Sequence, residues 1–417
     1  KNVTSAKKKN TGKKQKVDTE TEAKVRRSTA KAAKDAGTFD RIIVLFNTGN
    51  TIMDDVVDNP DSRKLQDHPV PVLGGLTVFF GIVVALVFCQ LFFGSTSLFS
   101  FLGLMSIMLF VGTTDDIVTL SPFLRLVIEI AVVLLFIFGT GWSINDFHGL
   151  WGIEAIPEYI AVPLTVLACV GIINSVNMID GVDGLMSGYG IVVSIILTVF
   201  FYDAGDMGMS AMSAIAAGAL IPFFLFNVVG SRSKMYLGDG GSLMIGTMMA
   251  LFVVSILKQN SLCSLSVSGS FGLVPFTLAL LAVPIFDTLR VMIRRIRNGR
   301  SPFSPDKNHL HHMFVDLGFS HLGTTLSVIL LDLAVVLAWM VSYLCGASID
   351  MQLYVVLIAG FAVTFGLYKS VYLAHKGNWK LYRLLLAVGR KTHMENTCIW
   401  LKISDMLDSR FKTNKNN

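Results

Sequence analysis

The chain has 417 residues, 53% of them hydrophobic and 15% charged, with a mean hydropathy of +0.61. A soluble domain carries about 25% charged residues, so this composition excludes a soluble enzyme, a disordered protein and a disulfide-stapled secreted module. The net charge of +6 sits mainly at the start, where residues 1–68 hold 15 Lys/Arg against 10 Asp/Glu. The remainder points to an all-α, polytopic helical bundle in a membrane.

Residues 1–40 are rich in Lys, Thr, Ala and Glu without an apolar period. They read as a solvated, disordered segment rather than a nucleic-acid-binding tail, and no signal peptide stands out. The stretch Arg41–Phe46 is apolar but far shorter than the roughly 20 residues that cross a bilayer. From Val70 onward the apolar runs predict ten spans, near 70–93, 98–114, 123–142, 159–177, 185–202, 209–229, 241–258, 273–293, 324–344 and 351–371. The expected division is a basic N-terminal segment over 1–62, a membrane-embedded domain over 63–371 and a basic tail over 372–417. Within that tail, Trp379–Lys391 mixes Leu, Trp and basic residues and is expected to lie on the membrane surface. Cys89, Cys169, Cys263, Cys345 and Cys398 are scattered, with no CxxC pair, and read as small apolar residues.

Orientation follows from the loops. Segments 143–158, 203–208, 259–272 and 345–350 lack Lys and Arg, whereas the alternating set carries Arg232, Lys234, Arg290, Arg294, Arg295, Arg297, Arg300 and Lys307. Basic loops stay in the cytoplasm. Four polar clusters fall on that side: Asp115-Asp116; Asn174 to Gly184, containing Asn177, Asp180 and Asp183; Lys234 to Gly241, containing Asp239; and the loop running from Arg294 to His312. One charge at a helix end is ordinary anchoring. Adjacent carboxylates repel unless a cation or proton lies between them, and Asp180 and Asp183 share a face if helical. Clustered carboxylates suit a hard cation such as Mg²⁺, which takes one or two of them together with substrate phosphates. Arginines and glycine-flanked N–H groups suit a diphosphate. His309, His311 and His312 lack the Cys/His partners of a zinc site and fit phosphate contact better.

The segments NSVNMIDGVDGL, MYLGDGGSL and SPFSPDKNHLHH resemble the polyprenyl-phosphate N-acetylhexosamine-1-phosphate transferases, within glycosyltransferase family 4. HPVPVLGG at 68–75 and Asp115-Asp116 fall in the expected order, and the likeness runs from about Arg63 to about His321. RRIRNGRSPFSPDKNHLHH resembles the branch that transfers GlcNAc-1-phosphate rather than the one that handles UDP-MurNAc-pentapeptide. The resemblance implies a UDP-sugar and undecaprenyl phosphate as partners, Mg²⁺ (or Mn²⁺) as cofactor, UMP as leaving group, no nucleic acid, and a bacterial inner membrane with the site facing the cytoplasm. It leaves room for a homodimer.

It also implies roles. Asp115 and Asp116 match the paired catalytic aspartates near the lipid phosphate, and Asp239 and Asp183 are expected at the metal. Asn174, Asn177, Asp180, Asn227, Arg125, Arg300, His309, His311 and His312 are expected at the substrates. Gln66 and Val72 stand where the family often has a basic residue or His, and a polar, Lys-rich stretch stands where it usually has a further span. A transporter is the competing class, but it would place ionisable groups near the midplane in repeated halves, not at one face.

Overall fold

The structure, a computed structural model, describes residues 57–58, 70–93, 98–267, 269–304, 306, 308–395 and 397–409. The chain divides into two units, residues 1–57 and 58–417, and the second holds all the helices of the described residues. The disorder expected over 1–40, the apolar stretch Arg41–Phe46 and the reading of Gln66 lie outside the described residues.

Seven helices come first: α1 Gly74–Phe93, α2 Leu98–Val118, α3 Pro122–Thr140, α4 Glu158–Met178, α5 Leu185–Asp203, α6 Met207–Val228 and α7 Gly238–Leu257. The second half has α8 Leu273–Leu280, α9 Ala282–Arg297, α10 Leu310–Asp316, α11 His321–Leu344 and α12 Ile349–Phe361. A π turn at Ala362–Gly366 carries α12 into α13 Leu367–Lys376, and α14 Lys380–Lys391 and α15 Cys398–Asp408 close the chain. Among the described residues, eight helices are long and apolar enough to cross a membrane, or nine if α8 and α9 count as one span. Helix α1, 20 residues long and mostly apolar, stands beside these, so the expectation of ten spans holds approximately.

Helix α7 is the axis, with 17 of its 20 residues buried. A helix that is apolar all round belongs in the interior, and glycines let its neighbours come close. A Cβ at Gly75 would stand 2.5 Å from the Gly241 Cα, and one at Gly112 would overlap the Asp239 carbonyl. Helices α1, α2 and α4 therefore pack directly on α7. By contrast α3 buries only Glu129, Val132, Val133, Phe136 and Ile137, while Leu135 and Phe138 face outward. Outward apolar side chains at Phe80, Phe110, Phe123, Leu167, Leu330 and Ile358 are the surface that lipid would cover.

The stretch expected as one span at 273–293 is instead two helices, α8 and α9, bent by 71°. Pro284 has no N–H with which to continue the ladder back to Leu280. Two other helices satisfy the freed backbone groups: the Tyr189 hydroxyl donates to the Leu280 carbonyl at 2.5 Å, and the Val283 N–H donates to buried Asp332 at 2.9 Å. Backbone irregularity inside a membrane protein survives only with such partners. The bend leaves the basic end of α9 directed into the loop that precedes α10.

Candidate active site

The polar cluster forms where α2, α4 and α7 meet their loops. Asp115 and Asp116, one residue apart at the end of α2, serve different partners. Asp115 accepts the Leu120 N–H at 2.6 Å and the Arg125 guanidinium at 3.2 Å. Arg125 Nε also lies 3.6 Å from Glu129, which in turn accepts a short hydrogen bond from Asn174. Asp116 instead accepts the N–H groups of Asp239 at 3.0 Å and Gly240 at 3.3 Å, capping the first turn of α7 from another helix. The unsatisfied N–H groups and the dipole at a helix start favour a carboxylate there. Gly238 has φ +73°, and a Cβ on it would stand 2.6 Å from Asp116 Oδ2, so only glycine lets the two segments meet.

The loop after α4 delivers two more acids with opposite fates. Asp183 Oδ2 accepts from Lys234 Nζ at 2.6 Å and lies 2.5 Å from His321 Nδ1. Burial alone would raise its pKa, but these two partners hold it below the ordinary carboxylate value. Among the described residues, no hydrogen bond or ion pair engages the Asp180 side chain. Burial, then the charges of Asp239, Asp116 and Asp183, push Asp180 up to about 8. Asn177 accepts from the Ser242 hydroxyl at 2.9 Å, tying α4 to α7. Asn227 is buried: its Oδ1 accepts the Gly184 N–H at 2.5 Å, and its Nδ2 donates to the Met235 carbonyl at 2.8 Å.

The histidine loop forms the opposite wall. Buried Asp287 binds Arg290 at 2.6 Å and His309 at 2.9 Å and accepts the Leu310 N–H. Arg295 reaches Asp306 at 3.2 Å and the Pro302 carbonyl at 2.6 Å, so the loop is folded back on α9. Although burial works the other way, Arg295 and Asn308 hold Asp306 down at about 2. The rings of His309 and His311 are parallel, 5.6 Å apart, and His311 lies so close to Gly181 that a Cβ there would overlap its Nε2. Burial, with His312 and His309 adding, drives the His311 pKa well below its ordinary value, so it is a neutral imidazole at pH 7. Arg300, expected at the substrate, is exposed, and no side-chain hydrogen bond ties it to this wall among the described residues.

No three acidic, cysteine or histidine side chains among the described residues converge tightly enough to hold a metal ion unaided. Mg²⁺ does not demand three, since it keeps waters and shares substrate phosphates. Asp180, crowded by Asp239, Asp116 and Asp183, suits it, and so does Asp239, which feels Arg125 as well as Asp115; no ion pair engages either side chain among the described residues. Asp183 suits it less, because Lys234 and His321 already meet its charge.

Residues 98–257, which include every acid of this floor, match the family described as glycosyl transferase family 4. The chain is 31% identical over 303 residues to the probable undecaprenyl-phosphate N-acetylglucosaminyl 1-phosphate transferase of Bacillus subtilis strain 168, covering 72% of this chain and 81% of that protein. The chain belongs to glycosyl transferase family 4. Another relative is the undecaprenyl-phosphate alpha-N-acetylglucosaminyl 1-phosphate transferase of Escherichia coli strain K12, 29% identical, with 81% of this chain and 88% of that one matched. A third is the decaprenyl-phosphate N-acetylglucosaminephosphotransferase of Mycolicibacterium smegmatis, 31% identical, with 69% and 77% matched. As a member of this family the chain is a multi-pass membrane transferase, and the transporter reading is set aside.

For this family 4 transferase, sequence reasoning singled out the acids of the floor and missed what organises them. Glu129, Asp287, Arg295, Asp306 and His321 were not among the expected site residues, yet they hold Arg125, His309, the loop and Asp183 in place. Glu129 and Asp287 carried a usable signal, since each is a carboxylate inside an apolar helix. Arg295 and Asp306 lie in the polar loop that the sequence marked, but their pairing depends on how the loop folds.

Proposed function

We propose that the chain transfers N-acetylglucosamine 1-phosphate from UDP-GlcNAc to undecaprenyl phosphate, releasing UMP, at the cytoplasmic face of a bacterial inner membrane. The observation that carries this is the meeting of Asp116, Asp180 and Asp239 with the His309–His311 wall at the basic end of the bundle. The names of three relatives agree on the sugar phosphate and on a polyprenyl phosphate acceptor. Helix ends on that face meet lipid on one side and water on the other, as a transfer between a lipid and a nucleotide sugar requires.

In this proposal the acceptor phosphate attacks the β-phosphorus of the donor, and the bond to UMP breaks. Phosphoryl transfer asks for positioning and charge neutralisation more than covalent chemistry. Asp239 and Asp180 would hold Mg²⁺, which supplies charge neutralisation at the diphosphate when bound. Arg125, steadied by Asp115 and Glu129, would face the acceptor phosphate. Asp116 keeps Asp239 in register through the N–H groups of α7. Asp115 would take any remaining proton from the acceptor, a modest role because a phosphate monoester has its second pKa near 6. Neutral His311 offers one N–H to the donor phosphates, and Lys234 lies beside Asp183 at the same loop.

The test is UMP release by purified chain with undecaprenyl phosphate, Mg²⁺ and a panel of UDP-sugars. UMP with UDP-GlcNAc supports the proposal. UMP only with another UDP-N-acetylhexosamine, or only with UDP-MurNAc-pentapeptide, keeps the reaction and corrects the donor. No UMP from any donor, in a chain that melts cooperatively, overturns it.

A further inference from the structure

The C-terminal segment was expected only to rest on the membrane, yet it reaches the partners of Asp183 from two directions. Asp408, at the end of α15, is buried and accepts the N–H groups of Ser231 at 3.3 Å, Arg232 at 3.1 Å and Ser233 at 3.0 Å. It also accepts the Ser233 hydroxyl at 2.7 Å. A turn of successive N–H groups is a natural anion cradle, and here the chain's own carboxylate fills it. The next residue along is Lys234, which binds Asp183.

The second contact lies at the start of α11. Thr392, just past α14, accepts the Ser320 N–H at 2.9 Å, and its carbonyl accepts the Ser320 hydroxyl at 2.8 Å. Ser320 also caps α11 by accepting the Gly323 N–H at 3.0 Å. A Cβ at Gly323 would lie 2.5 Å from the Thr392 side chain, and one at Gly389 would overlap the Leu317 carbonyl, so the fit is backbone-close. The next residue after Ser320 is His321, the other partner of Asp183.

We propose that residues 380–408 are a two-point clamp in which Asp408 positions Lys234 and Thr392 positions His321, fixing Asp183 between them. Asp408 and Thr392 are positioning residues that touch no substrate. The clamp bears on the transferase site through the proposed function, but its geometry is independent of which donor is used. It makes the loop at Gly181–Gly184 answer to the far end of the chain. Because α14 exposes Leu381, Leu384 and Val388, and Trp379 is exposed just before it, one element carries both the clamp and a face suited to the membrane surface.

Amide hydrogen exchange on the full chain in detergent tests this without relying on turnover. In Asp408→Asn, residues 231–234 should exchange about tenfold faster, the scale of losing a charge-assisted hydrogen bond. Residues 181–184, which Asp408 does not touch, should speed up with them. Lys234→Met should speed up 181–184 by itself, and adding Asp408→Asn to it should add nothing there. Thr392→Val should loosen 320–323 and 181–184, and should still do so in the Lys234→Met background, because it acts through His321. Faster exchange at 231–234 with 181–184 unchanged overturns the clamp, and so does additivity of Asp408→Asn with Lys234→Met at 181–184. Thr392→Val decides the matter if Asp408→Asn does not fold. Wild-type UMP release, measured on the same preparation, judges the proposed reaction separately.

Discussion

Two charged regions adjoin where His311 meets Gly181, and they are built on opposite rules. In the histidine wall every acid is met: Asp287 by Arg290 and His309, Asp306 by Arg295. In the floor at the start of α7, neither Asp180 nor Asp239 has an ion-pair partner among the described residues: Asp180 is surrounded by other acids, and Asp239 feels Arg125 as well as Asp115. Removing one member of a met pair leaves a buried charge stranded and costs stability. A crowded, unmet acid already costs stability, so its persistence points to a ligand. The wall is therefore scaffold that aims His309 and His311, and the floor is where the proposed function puts the metal.

The largest expected effect would break this comparison at the floor. Asp239→Asn should lower UMP release by about 10³-fold, the upper range for removing a group that stabilises transition-state charge. Its melting temperature should hold or rise as repulsion is relieved, and a lowered melting temperature with normal turnover would reverse the two regions. Gly112→Ala comes next, because its Cβ overlaps the Asp239 carbonyl. Activity should fall about 100-fold as Asp239 moves, a 1 Å misplacement being worth that much, with titration by Mg²⁺ showing weakened metal response.

Asp287→Asn probes the wall. It strands Arg290 and frees His309, so stability should fall by about 3–5 kcal/mol, read by thermal unfolding in detergent. A smaller effect comes from pH. His311 is neutral when folded because its pKa lies below the ordinary 6.5. Below that ordinary value the unfolded chain binds the extra proton and the folded chain does not, so stability should fall as pH drops through about 6. His311→Gln should flatten that part of the melting-temperature profile. Arg300→Ala, exposed and outside both regions, should change turnover by less than about twofold, and a larger loss in initial-rate assays would draw Arg300 into the wall.

Much of the fold was legible because apolar length is a local property. Each stretch read as a span corresponds to helix, with the stretch at 273–293 broken into the bent pair α8–α9. The break itself was hidden: Pro284 is visible in sequence, but the hydroxyl of Tyr189 and the carboxylate of Asp332 that make a bend tolerable come from α5 and α11. The site shows the same limit. Asp180 and Asp183 look equivalent in sequence, three residues apart beside glycines. What separates them is Lys234 and His321, delivered from 51 and 138 residues away. Asn227 was legible as a motif residue, but its use as a clip between Gly184 and Met235 depends on two loops meeting.

The carboxylate of Asp332 also bears on how the chain is made. It lies midway along α11, where an acid costs about 2.5–3.5 kcal/mol to insert into a bilayer. Its partner, the Val283 N–H, belongs to a helix synthesised earlier. A segment leaving the insertion machinery with an unmet acid gains by finding that amide already waiting. The order of synthesis thus places the amide of α9 ahead of the acid of α11 that it meets.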